Sequence, residues 1–141
     1  MLREDAAAVA GLERQVPSPW SRALIEGELG YPGSTALMAF AAGEVAGWCC
    51  CRQVGGEAEL LKMSVARRWR RRRVATRLLH HLEGGLCEKH VERLYLEVRS
   101  KSAPAVSFYT HAGFTVHGRR INYYSQPDDD ALLMLKLLFH S

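Results

Sequence analysis

At 141 residues the chain has the length of one domain, spanning residues 1–141, with room for one real hydrophobic core. No uninterrupted apolar run reaches membrane-spanning length, and the charged opening Met1-Leu-Arg-Glu-Asp5 leads into an alanine-rich stretch too short and too weakly apolar for a signal sequence, so a soluble cytoplasmic protein is expected. The net charge of +4 conceals a concentration: six arginines lie between Arg67 and Arg73, and without them the balance is 4 − 6 = −2, which favours one local polyanion site over a general nucleic-acid surface.

From Asp5 to Arg14 the apolar positions Ala8, Val9 and Leu12 recur at helical spacing, and Pro17-Ser-Pro19 ends the segment. Ser21 is placed to cap a second helix that buries Leu24, Ile25 and Leu29 before Tyr31-Pro-Gly33 breaks it. Residues 35–42 and 44–53 read as strands joined by an Ala42-Gly43 hairpin turn, and 58–65 reads as a third after Gly55-Gly56. Cys49, Cys50 and Cys51 alternate faces of the middle strand, which suits small apolar packing rather than a disulfide ladder or a metal cage. No metal site is predicted.

Val74, Leu78, Leu82 and Leu86, flanked by Ala75 and Leu79, form one apolar helical stripe. A strand follows at 92–99, then a helix from Ala103 to His111 with Pro104 in its first turn and Gly113 as terminator, then strands at 114–119 and 131–138. This order predicts an α/β fold with a mixed sheet flanked by helices on both faces.

Two segments carry chemistry. A strand ending at Val65, a loop, and a helix opening near Val74 offer unpaired backbone N–H groups and a positive dipole end to an anion, with arginines around them. Charge alone leaves three readings of that loop open: a phosphate cradle, a solvated basic turn, or an RNA-contacting patch. In the strand Leu94-Tyr-Leu-Glu-Val-Arg99, Leu94, Leu96 and Val98 share one face while Tyr95, Glu97 and Arg99 share the other. Tyr109, on the next helix, returns toward the C-terminal end of that strand, where open α/β sheets place their chemistry.

Pro17-Ser-Pro-Trp-Ser21, Met63-Ser-Val65 with the loop to Ala75, Leu96-Glu-Val-Arg99, Phe108-Tyr109, Gly113-Phe114, Arg119-Arg120 and Tyr123-Tyr124 together resemble the GNAT N-acetyltransferases. Within them the likeness is to the bacterial branch that acetylates the N-terminal alanine of a ribosomal protein. The resemblance implies the GNAT fold and acetyl-CoA lying between the strands that end near Val65 and Val98. Its pyrophosphate would sit on Arg70, Arg71, Arg72, Arg73, Val74 and Ala75, the stretch that matches the family's Gln/Arg-x-x-Gly-x-Gly/Ala loop. By the same resemblance Glu97 is the general base, acting through water, and Tyr109 protonates the departing thiolate. Backbone amides of Met63, Ser64 and Val65, freed by a strand bulge, would polarise the acetyl carbonyl, and Ser102 would reach the pantetheine arm where the family carries asparagine. Trp20, Tyr123 and Tyr124 would flank the incoming peptide N-terminus, with hydrophobic packing beneath a hairpin as the alternative for the two tyrosines. Transfer would be direct, within a ternary complex.

Besides Ser102, two departures stand out. Arg73 replaces the first glycine of the loop, and an arginine held there at positive φ costs roughly 1–2 kcal/mol, which predicts reshaped or weakened cofactor binding. The chain also opens at Met1-Leu-Arg where the family carries a few more residues of a first strand, which predicts a frayed sheet edge. The leading expectation is a protein Nα-acetyltransferase. Its competitors are a small-amine acetyltransferase and a weakened GNAT domain that binds RNA or the ribosome through Arg67–Arg73.

Overall fold

The computed structural model describes residues 1–138, and its elements follow the expected order. Helices α1 (Ala6–Glu13) and α2 (Arg22–Leu29) come first, and Ser21 caps α2 by accepting a hydrogen bond from the Leu24 amide at 3.2 Å. Strands β1 (Ser34–Ala41) and β2 (Glu44–Val54) then pair around Ala42 and Gly43, whose φ values of 51° and 78° match the twist of a tight hairpin. Strand β3 (Glu57–Val65), helix α3 (Val74–Glu88), strand β4 (Arg93–Arg99), helix α4 (Ala103–His111) and strands β5 (Thr115–Tyr124) and β6 (Asp129–Leu137) complete the described chain.

The six strands form one sheet in the order β1-β2-β3-β4-β6-β5. Every neighbouring pair is antiparallel except β3 and β4, which run parallel and pair only over Glu57–Leu60 with Arg93–Leu96. Beyond Leu60 and Leu96 both strands continue unpaired to each other, so their C-terminal ends diverge and open a wedge in the middle of the sheet.

Alternation along the strands sends side chains into two separate cores. Cys49, Cys51, Leu94, Leu96, Val98 and the α3 stripe Leu78, Leu79, Leu82 and Leu86 pack on one face. Trp48 and Cys50 pack on the other, with Val9, Leu12 and Ile25 from α1 and α2. The three consecutive cysteines therefore serve both faces of β2. Burial pushes the thiols of Cys49 and Cys51 up to about 12 and about 11, and that of Cys50 higher still.

Three expectations about packing need correction. Ala8 is exposed, and Ala6, Val9 and Leu12 face inward from α1. Leu24 is 58% exposed, while Ile25 and Glu28 fill the buried face of α2, the latter held by an ion pair with Arg52. Helices of two turns take their phase from what they pack on, so spacing alone could not set it. The expected fraying is also absent: no strand precedes β1 among the described residues, yet β1 pairs with β2 along its whole length. Asp129, at the start of β6, is buried and accepts hydrogen bonds from the Ser100 hydroxyl and the Lys101 amide.

Candidate active site

The wedge between β3 and β4 opens onto two clefts. The larger, of about 660 Å³, runs from the loop before α3 along the end of β3 to α4. The smaller, of about 360 Å³, lies between β3 and β4 beneath the Pro17–Trp20 loop. Pro17, Lys62, Met63, Ala105 and Tyr109 line both, so the two clefts adjoin with Tyr109 between them.

At the outer end of the larger cleft are Arg70, Arg71 and Arg73 and the first turn of α3. Arg71 and Arg73 both have left-handed backbones, with φ of 62° and 61°, and Arg73 is the residue that starts the helix. The conformation that the loop demands is thus the one a glycine would adopt freely. The loop lies at the positive end of a 15-residue helix whose first amides have no partner within the helix, an arrangement suited to phosphate. Arg70 is partly committed to the chain itself, donating to the carbonyls of Val65 and Gln15 at 3.4 Å each.

Further in, β3 supplies backbone groups. The Ala66 amide donates to the Ala46 carbonyl at 2.8 Å, so the alternation of an antiparallel ladder turns the amides of Ser64 and Lys62 toward β2 and those of Met63 and Val65 toward the wedge. Ser64 therefore cannot offer its amide to a ligand, against expectation. The bulge falls at Leu61, skipped where the register passes from Cys50–Lys62 to Cys51–Leu60, and not at Met63–Val65. Divergence from β4, rather than the bulge, frees the inward amides.

Glu97 lines the smaller cleft with Trp20, Arg99, Ser102 and Tyr124. Its carboxylate pairs with Arg120 of β5 at 3.5 Å and not with Arg99, which lies over the Tyr124 ring and donates to the Pro127 carbonyl. The negative charge of Glu97 is felt nearby: after partial desolvation it is the next cause raising both the Glu59 carboxyl and the Tyr124 phenol above their ordinary values. Tyr109 is packed edge-on against Phe108 and Phe114, at 5.1 and 5.6 Å between ring centres. Burial there holds its hydroxyl protonated well above the ordinary phenol range.

Of the residues expected at the site, Met63, Ser64, Val65, Arg70, Arg71, Arg73, Val74 and Ala75 line the larger cleft, and Glu97, Trp20 and Tyr124 the smaller. Three fall elsewhere. Arg72 lines a hollow with Trp69 and Phe40 instead, its guanidinium over the Trp69 ring, in a turn where the residues on either side of it are left-handed. Ser102 lines the Glu97 cleft and not the larger one. Tyr123 lines neither cleft; it is half-exposed, edge-on to Tyr124 and beneath Arg120. Sequence reasoning missed Lys62, Phe108 and Arg120 as site residues. The alternation that placed Glu97 could have flagged Lys62 on β3, but the Arg120 contact depends on a hairpin returning across β6.

Comparison with known proteins agrees with this geometry. Residues 5–114 match the acetyltransferase (GNAT) family, and the chain belongs to it. It is 34% identical over 94 residues to the ribosomal protein bS18-alanine N-acetyltransferase of Escherichia coli, a stretch covering 65% of this chain and 64% of that enzyme, just under two thirds of its length. It is 30% identical to the N-alpha-acetyltransferase RimI of Mycobacterium tuberculosis, over 95% of this chain and 87% of that one. The crystal structure of the Escherichia coli ribosomal-protein-S18-alanine N-acetyltransferase superposes with a TM-score of 0.92 at 26% identity, covering 100% of this chain and 92% of that one.

Proposed function

We propose that this chain is an acetyl-CoA-dependent N-acetyltransferase acting on the α-amino group of a protein N-terminus, of the ribosomal-protein-alanine type, in the cytoplasm. The observation that carries the reading is the pair of adjoining clefts, one opening at the arginine loop and the other holding Glu97, with Tyr109 lining both. Acetyl-CoA is the acyl donor of this family, and the larger cleft fits it: cationic and amide donors at one end, an apolar wall of Val74, Ala105 and Phe108, and the inward amides of Met63 and Val65 at the other.

When bound it supplies an activated thioester. The chain's own residues do the rest. An α-amino group with an ordinary pKa of about 7.7–8.0 is largely protonated at neutral pH, so a base must take its proton before attack. Glu97 is the carboxylate in the acceptor cleft. Tyr109, protonated and facing both clefts, is placed to give a proton to the departing sulfur. The amides of Met63 and Val65, turned into the wedge, would donate hydrogen bonds to the acyl oxygen. Trp20 and Tyr124 wall the acceptor cleft.

The test is thiol release from acetyl-CoA by the purified chain with four acceptors: a short alanine-initiated peptide with the N-terminal sequence of bS18, the same peptide with a blocked α-amino group, spermidine, and an aminoglycoside. Turnover with the first alone is expected. Turnover confined to the small amines, or none with the free peptide, overturns the reading.

A further inference from the structure

Glu13, the last residue of α1, is a carboxylate with no solvent exposure that none of the steps above uses. It gathers three donors from three parts of the chain. The Trp20 amide donates to its Oε1 at 2.8 Å, the Trp48 indole Nε1 donates to its Oε2 at 2.9 Å, and the Lys62 ammonium lies 3.3 Å from Oε1. Lys62 also donates to the Ser18 carbonyl at 3.0 Å.

These contacts converge on the segment that joins α1 to α2. Ser18 sits there with φ of 53°, a left-handed backbone on a residue with a side chain, between Pro17 and Pro19. Such a conformation persists only where its surroundings hold it. Lys62 holds the Ser18 carbonyl, Glu13 holds the Trp20 amide, and the Trp20 ring packs edge-on against Trp48 at 5.8 Å. The other end of the same segment is tied to the arginine loop, where the Arg67 amide donates to the Gln15 side chain at 2.8 Å. Pro17 borders both clefts, and Ser18 and Trp20 border the acceptor cleft.

We propose that Glu13 is a positioning residue: through Lys62, Trp48 and the Trp20 amide it clamps the Pro17–Trp20 loop as a wall of the acceptor cleft, and so sets how tightly the acceptor is held. The proposal rests on the acetyltransferase reading for its kinetic consequence, but its structural content does not. A buried carboxylate removed from such a clamp releases the loop, while Glu97, Tyr109 and the arginine loop stay in place.

Glu13→Gln is the direct test, because a glutamine offers one accepting oxygen for two donors and no charge for Lys62. Peptide KM should rise about tenfold or more, the effect of losing a hydrogen bond to a charged group, with kcat and the KM of acetyl-CoA within about threefold of the parent. Independently of turnover, trypsin should cut the variant faster after Arg14, the exposed arginine at the start of the loop. Lys62→Met keeps both hydrogen bonds to Glu13 but frees Ser18; because Lys62 itself lines both clefts, only its cleavage rate is read, which should rise as in Glu13→Gln and which decides the matter if Glu13→Gln does not fold. Unchanged peptide KM with unchanged proteolysis overturns the proposal, as does a parallel fall in kcat and in affinity for both substrates. Accelerated cleavage in a chain that acetylates nothing would leave the clamp standing and remove only the acetyltransferase reading.

Discussion

Replacing Arg73 with glycine separates two roles that one residue now combines. Its left-handed backbone, φ 61° and ψ 20°, is part of the loop that starts α3, so its conformational cost is carried by the fold. That cost is roughly 1–2 kcal/mol for a residue with a Cβ, offset by about 0.5–1 kcal/mol because glycine loses more freedom on folding. The net expectation for Arg73→Gly is a stabilisation of about 0.5–1 kcal/mol, which in a domain of this size raises Tm by roughly 2–4 °C. The guanidinium at the cleft mouth acts in the opposite sense on ligand, since a charge-assisted hydrogen bond contributes about 1.5–3 kcal/mol, so acetyl-CoA should bind roughly ten- to hundredfold more weakly. Arg73→Ala supplies the control: it should lose the same affinity without gaining stability. Thermal denaturation and isothermal titration on the three proteins read both effects. A glycine variant no more stable than the parent refutes the strain argument, and one that binds more tightly refutes the role given to the side chain.

Other outcomes are equally specific. Glu97→Gln and Tyr109→Phe should each lower kcat by about 10²–10⁴ with acetyl-CoA affinity little changed, and a kcat within threefold of the parent would remove that residue from proton transfer. Although desolvation works the other way, hydrogen bonds from Ser100, Lys101 and Asp130 hold the Asp129 carboxyl below its ordinary 3.8. Stability linked to Asp129 is therefore present above that pH and is lost as pH falls through the depressed value; Asp129→Asn should flatten the acid limb of a Tm-versus-pH curve, and an unaltered limb counts against the linkage. Tyr109 has the opposite sign: its raised folded value means stability is full below about 10 and declines as pH climbs above it, a decline that Tyr109→Phe should reduce. Native protein at pH 8 should resist iodoacetamide at Cys49, Cys50 and Cys51, and labelling of any of these before unfolding would contradict their burial.

What was legible in the sequence was periodic or local. Alternation in β4 placed Glu97 opposite Leu96 and Val98, and the four-residue recurrence in α3 identified its buried stripe, because long or strongly patterned elements carry their own phase. The arginine loop was found from charge and position, and its need for a left-handed backbone followed from the glycine it lacks. What failed was of two kinds. Ala8, Leu24 and Arg72 were assigned sides that short helices and turns take only from their neighbours. Contacts across long stretches of chain were not visible at all: Glu13 meets Trp48 from 35 residues away, and Arg120 reaches Glu97 by way of two strands.

The brevity of the β3–β4 pairing has a mechanical side. Among the described residues, four paired positions are the only ladder joining β1-β2-β3 to β4-β6-β5; α1 and α2 pack on the first half, α4 on the second, and α3 lies against both. The protein is in effect two three-stranded plates sharing a short seam. A molecule lying in the wedge touches both plates and acts as a rivet across them. Donor binding should therefore slow amide exchange in residues of β3 and β4 beyond the seam far more than in β1 or β5, making the enzyme stiffest when it is loaded for the reaction.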